Sequence, residues 1–503
     1  MRYIALIIIL SVLFSCDDFL EQNPTGVLTS ESKLSSPESA LAFTNSAYDN
    51  ITVSNSAAGL WGGFTPLLLE YMTGKSTSEN SQSLFKEFQD LNLSARSPYI
   101  EQWWQGCYAG IAKCNLALSK LDEFDHLDQE LISNYKSEVL YLRAQYYFYL
   151  VRLFGDVPKV KNVQTELGDL QLTRSPLKEI YDEIIIPDLL EAEKSSLPFK
   201  DETGRVSMGA IKTLLADVYL TYAGYPVQGG AEYYEESAQR SLDVINSGVY
   251  SLFQSYDEFR NPSNNNSTEF IFQTQYTVNL RSNQMVSTVL PSRSGMSAFG
   301  LEYGSLIPSD DFVKSYASGD LRAEEKQFFF RTYKGHPSKF SEGAPELEFI
   351  DFNAFYIHKF FDQQAIDVAG QSGLNWTIYR YADVLLMYAE AQVMADGTPN
   401  QQAFDAVNEV RSRANLDPVS TMDLDAFRKA VWDERYFELC YENKTWFDII
   451  RTRLIRDDKS GTYMNFEGYV NIYGKAYSQK HLLFPIPLRE MQTNFNLSQN
   501  FGY

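Results

Sequence analysis

The side chains of this chain that could do chemistry are aromatic and amide groups standing in its irregular stretches. Between Thr52 and Ser97 lie Trp61, Phe64 and Tyr71 with Asn80, and between Val249 and Trp376 lie Tyr276, Arg281, Asn283, Phe299 and Tyr303. A flat ring offers an apolar face to the C–H groups of a sugar, while amide and charged groups hydrogen-bond its hydroxyls. Long loops on a rigid scaffold are where such groups usually work. These loops make Trp61, Tyr71, Asn80, Tyr276, Asn283, Phe299, Tyr303 and Trp376 the candidates for ligand contact. The two tryptophans lead them, because Trp61 precedes Gly62-Gly63 and Trp376 follows Asn375 in what reads as exposed loop.

Catalytic and metal chemistry find no support. His126, His336, His358 and His481 are scattered without HxxxH or HExxH spacing, and there is no CxxC pair, so no zinc site is expected. Cys107 and Cys114 read as one helix, about 10 Å apart along its axis, too far for a disulfide. They suit small core positions. A surface glycosidase would need two carboxylates about 5–10 Å apart. With 65 acidic residues such pairs are unavoidable and carry no signal. Neither GxSxG nor a Cys/His pairing in context is present. No catalytic residue, metal or cofactor is therefore expected; a helical scaffold without any saccharide site is the other class to separate by experiment.

The first twenty residues carry processing chemistry. Arg2 precedes an unbroken apolar run from Tyr3 to Leu10, and Leu13-Phe14-Ser15-Cys16 follows. A cation, a short apolar stretch and a small residue before the cut make a secretory signal, and the run is shorter than the about 20 residues that span a bilayer. Ser15-Cys16 resembles a lipobox, so Cys16 is the expected lipidation site and 1–15 the signal peptide. The balance of 43 basic against 65 acidic residues gives −22, which repels phosphate backbones and argues against nucleic acid. Hydrophobic content of 44% with 14% aromatic is ample for a core.

Helices must position these groups. Residues 16–36 are rich in Ser, Thr, Asn, Gln and Pro and read as a tether. Apolar spacing of three, four and seven predicts helices over Pro37–Ile51, Tyr99–Leu121, Asp128–Phe154, Ser207–Tyr222, Ala231–Asn246, Ile378–Ala395, Gln401–Ala414 and Leu424–Tyr441. Gly155 and Pro158 stop the third; Ser175-Pro176 should open another, which Pro187 should kink. Helical hairpins of about thirty to forty residues suggest a tetratricopeptide-like repeat. Between Val249 and Trp376 only Glu269–Tyr276 reads as a strand, while Ser292–Gly304 and Phe328–Phe361 look irregular. The expected fold is mostly α: one domain over 37–503, with helical repeats at about 37–250 and 378–455, a loop-rich, partly β, ligand-facing region at 250–377, and a closing segment from 456.

Several blocks resemble one family. Tyr379-Arg380-Tyr381-Ala382-Asp383 through Tyr388-Ala389-Glu390-Ala391 is similar to the signature helix of the SusD/RagB family, and Val407 through Ala414 to its next repeat. So are Glu434-Arg435-Tyr436-Phe437-Glu438-Leu439, Trp446-Phe447-Asp448-Ile449-Ile450-Arg451 and the ending from Leu483-Phe484-Pro485-Ile486-Pro487 to Tyr503. Arg143 to Phe148, Val151 to Pro158, and Trp104, Tyr108, Gly110-Ile111 and Asn115 match in the first half. Pro187 and Glu442-Asn443-Lys444-Thr445 depart from the pattern. The resemblance implies an outer-membrane lipoprotein of Bacteroidetes, with Asp17-Asp18 as the export signal to the outer face. It implies a non-catalytic binder of oligosaccharide, or of peptide as in RagB-like members, sitting as a lid on a SusC-like TonB-dependent transporter, and with it the ligand-contact role of the candidate loop residues. Arg380, Asp383, Glu434 and Glu438 are spaced to pair within helical packing, and buried charges are costly unless paired, so the motifs read as structural ion pairs.

Overall fold

The computed structural model describes residues 36–51, 68–79, 83–166, 171–334, 349–368 and 370–503. The signal segment, Cys16, Trp61 and Asn80 lie outside the described residues.

Helix α1 (Pro37–Tyr48) begins where Ser36 Oγ accepts the Ser39 N–H, with proline in the first turn, whose missing N–H has no partner to lose there. Helix α2 (Pro98–Leu121) repeats the device with Ser97 and Pro98. Helix α3 (Gln129–Phe154) is capped by Asp128 and stops at Gly155, whose φ of 72° other residues rarely adopt. These three pack together. At Gly110 of α2 a Cβ would stand 2.5 Å from the Tyr146 ring, so only glycine lets α3 approach this closely. Tyr146 then reaches past it to donate to the Ala47 carbonyl of α1 at 2.8 Å.

The stretch holding Pro187 leaves the α-helical pattern through a widened turn. Tyr181–Ile185 is π-helical and Ile186–Ala192 resumes the α-helix. That shift leaves Asp188 facing Arg143, which grips both of its oxygens at 2.7 and 2.8 Å and also holds Asn115 of α2. The Ser175-Pro176 cap does not form as expected: Ser175 pairs in a short strand with Val157, and the Asp156 carboxylate takes the Leu177 N–H instead.

Helices α4 (Met208–Ala223) and α5 (Ala231–Asn246) form a pair, and α5 packs on α6 (Tyr381–Asp396). Helix α6 in turn meets α7 (Gln401–Arg413) and α8 (Leu424–Glu438). Every residue from Tyr381 to Val393 is buried, as befits a helix packed on several sides. The fold is mostly α, with a tetratricopeptide-like scaffold of stacked helix pairs. Among the described residues no helix is long and apolar enough to cross a membrane.

The helix expected to reach Ile51 ends at Tyr48, and two other boundaries differ from the periodicity in ways that matter to the site. The helix expected from Ile378 starts at Tyr381, because Trp376–Arg380 is extended and pairs antiparallel with Phe270–Thr274. Its Trp-Thr-Ile-Tyr sequence favours a pleated surface, and an available partner strand decides the matter. The helix expected to reach Tyr441 ends at Glu438, after which Tyr441 and Asn443 take φ of 63° and 59°. Phe328–Phe361 is less irregular than expected: Phe329–Lys334 pairs antiparallel with Phe349–Ile357. Cys107, Cys114 and Cys440 are buried free thiols, as small core residues.

Candidate ligand-binding face

A buried ion network holds the base of the decorating loops. Arg380, at the end of its strand, is 2% exposed and reaches Glu269 at 2.6 Å, Glu438 at 2.8 Å and Glu442 at 2.9 Å. Arg413 bonds the same Glu269 and Glu438, Arg322 joins Asp320, Glu434 and Glu438, and Lys359 pairs with Glu442. Burial pushes the Glu438 carboxyl up, but Arg413, Arg380 and Arg322 outweigh it and hold the group far below its ordinary range. The pairing expected of the signature charges is present, and Glu442, a departure from the family pattern, is one of its partners. The network pins Phe270–Thr274 and Trp376–Arg380 to α7 and α8. From those two strands the loops 275–284 and 370–375 spring.

The loops are bonded to one another. Thr277 and Arg281 exchange both backbone hydrogen bonds, at 2.9 and 3.1 Å, closing a tight turn with Asn279 at φ 72°. Asn283 and Ser372 exchange another pair, and the Tyr276 N–H donates to Asn375 Oδ1 at 2.7 Å. Asn279 N–H reaches Gln371 Oε1, and the Arg281 guanidinium donates to the Asp49 carbonyl. A third loop, 291–304, is tied in by the Ala298 N–H to the Ile366 carbonyl and by the Glu79 N–H to the Gly304 carbonyl. Gly370 lies flat on Phe299; a Cβ there would stand 2.7 Å from the ring. Beneath sits a separate apolar cluster, including Val286, Leu290, Met296, Phe330, Tyr356 and Phe361. Phe299 packs against this cluster, whereas Tyr276 packs against the main core.

The outward groups are mixed. Tyr276, Phe299 and Tyr303 are half-buried. Leu280 is 89% exposed, Val368 69% and Leu301 50%, and Asn279, Arg293 and Gln371 are exposed beside them. The nearby carboxylates are already engaged. Glu302 accepts the Gly295 and Ser297 N–H groups and the Ser297 hydroxyl, and Glu79 accepts the Ser292 N–H. Such a face can hold a ligand by ring and apolar contact and by amide hydrogen bonds.

Of the expected contacts among the described residues, Tyr276, Phe299 and Tyr303 are half-buried on these loops and the other three are buried. Trp376 is not in an exposed loop: it is 7% exposed on its strand, against Phe360 at 5.5 Å between ring centroids. Tyr71 is 2% exposed on the short helix Leu68–Tyr71, its hydroxyl on the Ser305 carbonyl and its ring against Phe85. Asn283 is 3% exposed, with its amide spent on the Leu374 carbonyl and the Met285 N–H. All three hold the face up from below. The exposed Leu280, Leu301 and Val368 were missed, since attention to rings passes over aliphatic side chains. The turn Thr277-Val278-Asn279-Leu280-Arg281, with aliphatics around a turn-forming asparagine, was the signal that could have found the first.

A family model described as the SusD family matches residues 341–503, and one described as starch-binding and associating with the outer membrane matches 18–220. A SusD-like protein of Formosa agariphila is 26% identical over 526 residues, spanning 99% of this chain and 98% of that protein. Surface glycan-binding protein A from Bacteroides thetaiotaomicron, solved in complex with laminarihexaose, has the same fold at 18% identity, with a TM-score of 0.74 over 92% of this chain and 99% of that one. A SusD superfamily protein from Parabacteroides distasonis is far nearer, 64% identical with a TM-score of 0.91 over 95% of this chain and 100% of its own. Likeness of that degree over nearly the full length, with the signature charges gathered into one buried network, places this chain in the SusD/RagB family.

Proposed function

We propose that this protein captures oligosaccharides on the face formed by loops 275–284, 291–304 and 370–375, without chemical conversion, and delivers them to a SusC-like TonB-dependent transporter. The observation that carries the reading is the set of three half-buried rings, Tyr276, Phe299 and Tyr303, with the exposed amides of Asn279 and Gln371, whose loops are bonded to each other. Rings suit sugar C–H faces, amides suit hydroxyls, and a preformed face spends little binding energy on ordering. Trp61 and Asn80 remain candidates in the same role. The carboxylates nearest the rings are held by backbone N–H groups, which supports binding over proton transfer. Relatives described as binding laminarin and laminarihexaose make β-glucan oligosaccharides the first probes.

Attachment through acylated Cys16 at the outer face of the outer membrane completes the reading, in keeping with a family description that names that membrane. Calorimetry against laminarihexaose and a wider glycan panel, followed by chromatography of the ligand, is the test. Binding with the ligand recovered intact is the expected result; a shortened ligand would mean an enzyme. A barrel-sized protein should co-purify in mild detergent, and recovery of the lipoprotein alone would argue for a free-standing binder. The exposed aliphatic trio of Leu280, Leu301 and Val368 favours peptide as a second reading, because such side chains suit apolar residues better than sugar rings. Binding of peptides and of no glycan would select it.

A further inference from the structure

On the helical scaffold, away from any residue of the loop face, lies a cavity of about 190 Å³. Its wall is mainly apolar, with Val151 of α3, Leu177, Ile450 of the helix α9 (Thr445–Thr452), Leu482 and Leu483 contributing. Tyr181, Tyr225 and Phe447 add rings. Among the described residues three cations also line it, Arg152, Arg453 and Lys480, and no carboxylate does.

The cations are not equivalent. Arg152 is engaged: its guanidinium lies 3.5 Å from the Phe148 ring and 3.8 Å from that of Phe447, donates to the Phe148 carbonyl, and stands 3.7 Å from Asp217. Arg453 is different. Its Nη1 is buried without a hydrogen-bond partner, and the guanidinium stands 5.2 Å from the Tyr225 ring. Leaving such a donor unmet is costly. Its backbone is held at φ 61° in the capping position just after α9, where glycine is the usual residue. A guanidinium with one donor unmet and no acid among the lining residues, on a left-handed backbone, is two local costs at one residue, and an anion in the chamber would bring it the charge partner it lacks.

We propose that this cavity is a second binding site, for a small molecule with an apolar body and a terminal carboxylate. The carboxylate sits on Arg453, with Lys480 adding its charge, and the body lies among Val151, Leu177, Ile450 and Leu483. Arg453 suits this role, since its planar fork takes a carboxylate through two donors.

Calorimetry and thermal shift with 3-phenylpropionate and its neutral counterpart 3-phenylpropanamide test the idea on the whole protein. The acid should bind and raise the melting temperature, at least tenfold tighter than the amide. Arg453→Gly removes the guanidinium while suiting the φ of 61°, so it should fold at least as stably as the wild type and lose the preference for the acid. Lys480→Gln should weaken acid binding by a few fold and leave amide binding unchanged. Equal affinity for acid and amide, no binding of either, or wild-type affinity for the acid in Arg453→Gly would each overturn the proposal.

Discussion

Replacing Arg380 with methionine removes one guanidinium from among three buried carboxylates. In the native protein Arg380 bonds Glu269, Glu438 and Glu442 at 2.6–2.9 Å. Each acid keeps another cation: Arg413 serves Glu269 and Glu438, Arg322 also serves Glu438, and Lys359 serves Glu442. The variant therefore leaves roughly one uncompensated negative charge in the core, while methionine fills much of the arginine stem's volume. Breaking a buried pair from one side costs about 3–5 kcal/mol; the spare cations and the retained packing place the expected loss near the lower figure, about 3 kcal/mol. The pH dependence gives the sharper check. In the wild type Glu438 and Glu442 are held below their ordinary values, so their stabilisation is complete above the unfolded carboxylate pKa and is lost only as pH falls through the depressed one. They therefore leave wild-type stability flat between pH 8 and pH 5. Without Arg380 the same carboxylates shift upward, and uptake of a proton by the folded state relieves the repulsion. The variant's deficit should thus shrink as pH falls from 8 to 5, and Glu442→Gln added to it should restore part of the loss at pH 8. Urea unfolding followed by circular dichroism at pH 8, 6.5 and 5 reads all of this. A loss under 1 kcal/mol at pH 8, or a deficit identical at pH 8 and pH 5, would refute the claim that Arg380 neutralises these acids.

Other expectations divide the core from the face and the fold from the membrane. Trp376→Ala should cost about 3–5 kcal/mol of stability as a buried ring, whereas Phe299→Ala and Tyr303→Ala should weaken ligand binding by about 1–3 kcal/mol with small changes in melting temperature; a Trp376→Ala protein that melts normally but fails to bind would return that residue to the face. Burial pushes Asp383 up, but Lys444 and Arg435 bring it down to about 2 from an ordinary 3.8, so about 2 kcal/mol of stability should vanish as pH drops from 4 to 2. Acid titration of Asp383→Asn should lack that step, and an unchanged profile would contradict the pairing. Cys16→Ala should take up no labelled palmitate and leave the membrane fraction, since the acyl chains are the expected attachment; palmitate still incorporated would show that another residue is acylated.

Much of the scaffold was readable because helix signals are local. Ser97-Pro98, Asp128 and Gly155 each act on groups within one turn of themselves, so α2 and α3 fall within a residue of their expected bounds. The π-helical turn at Tyr181–Ile185 was readable only as a disturbance near Pro187. The strand at Trp376–Arg380 was not readable as a strand, because its partner Phe270–Thr274 lies about a hundred residues earlier in the chain. Aromatic spacing there fits a helix face and a pleated strand about equally well over so few residues. The charged network was foreseen as pairing, yet Arg322 and Asp320 drew no notice, since a cation from a loop joins α8 only through the tertiary fold.

The site exposes a further limit of reading from residue type. This chain uses the same rings for its core and for its face, so an aromatic beside an asparagine identifies neither. What separates them in the structure is where each polar end is spent. Tyr71 gives its hydroxyl to the Ser305 carbonyl and Asn283 gives both ends of its amide to backbone groups, so each is consumed in holding a loop to the scaffold. Asn279 spends only its backbone N–H, on Gln371 Oε1, so Gln371 is half engaged, and both side chains stay exposed on the loops they join. Polar side chains whose bonds close a loop from below become architecture, and those that cap it become candidates for ligand. By that criterion Asn279 and Gln371 take the place that Asn283 and Trp376 held, and Asn279→Ala with Gln371→Ala should lower glycan affinity while leaving the unfolding midpoint within about 0.5 kcal/mol of wild type, as exposed substitutions usually do. Calorimetry beside urea unfolding decides it; a lowered midpoint with unchanged affinity would mean that these residues, too, are part of the frame.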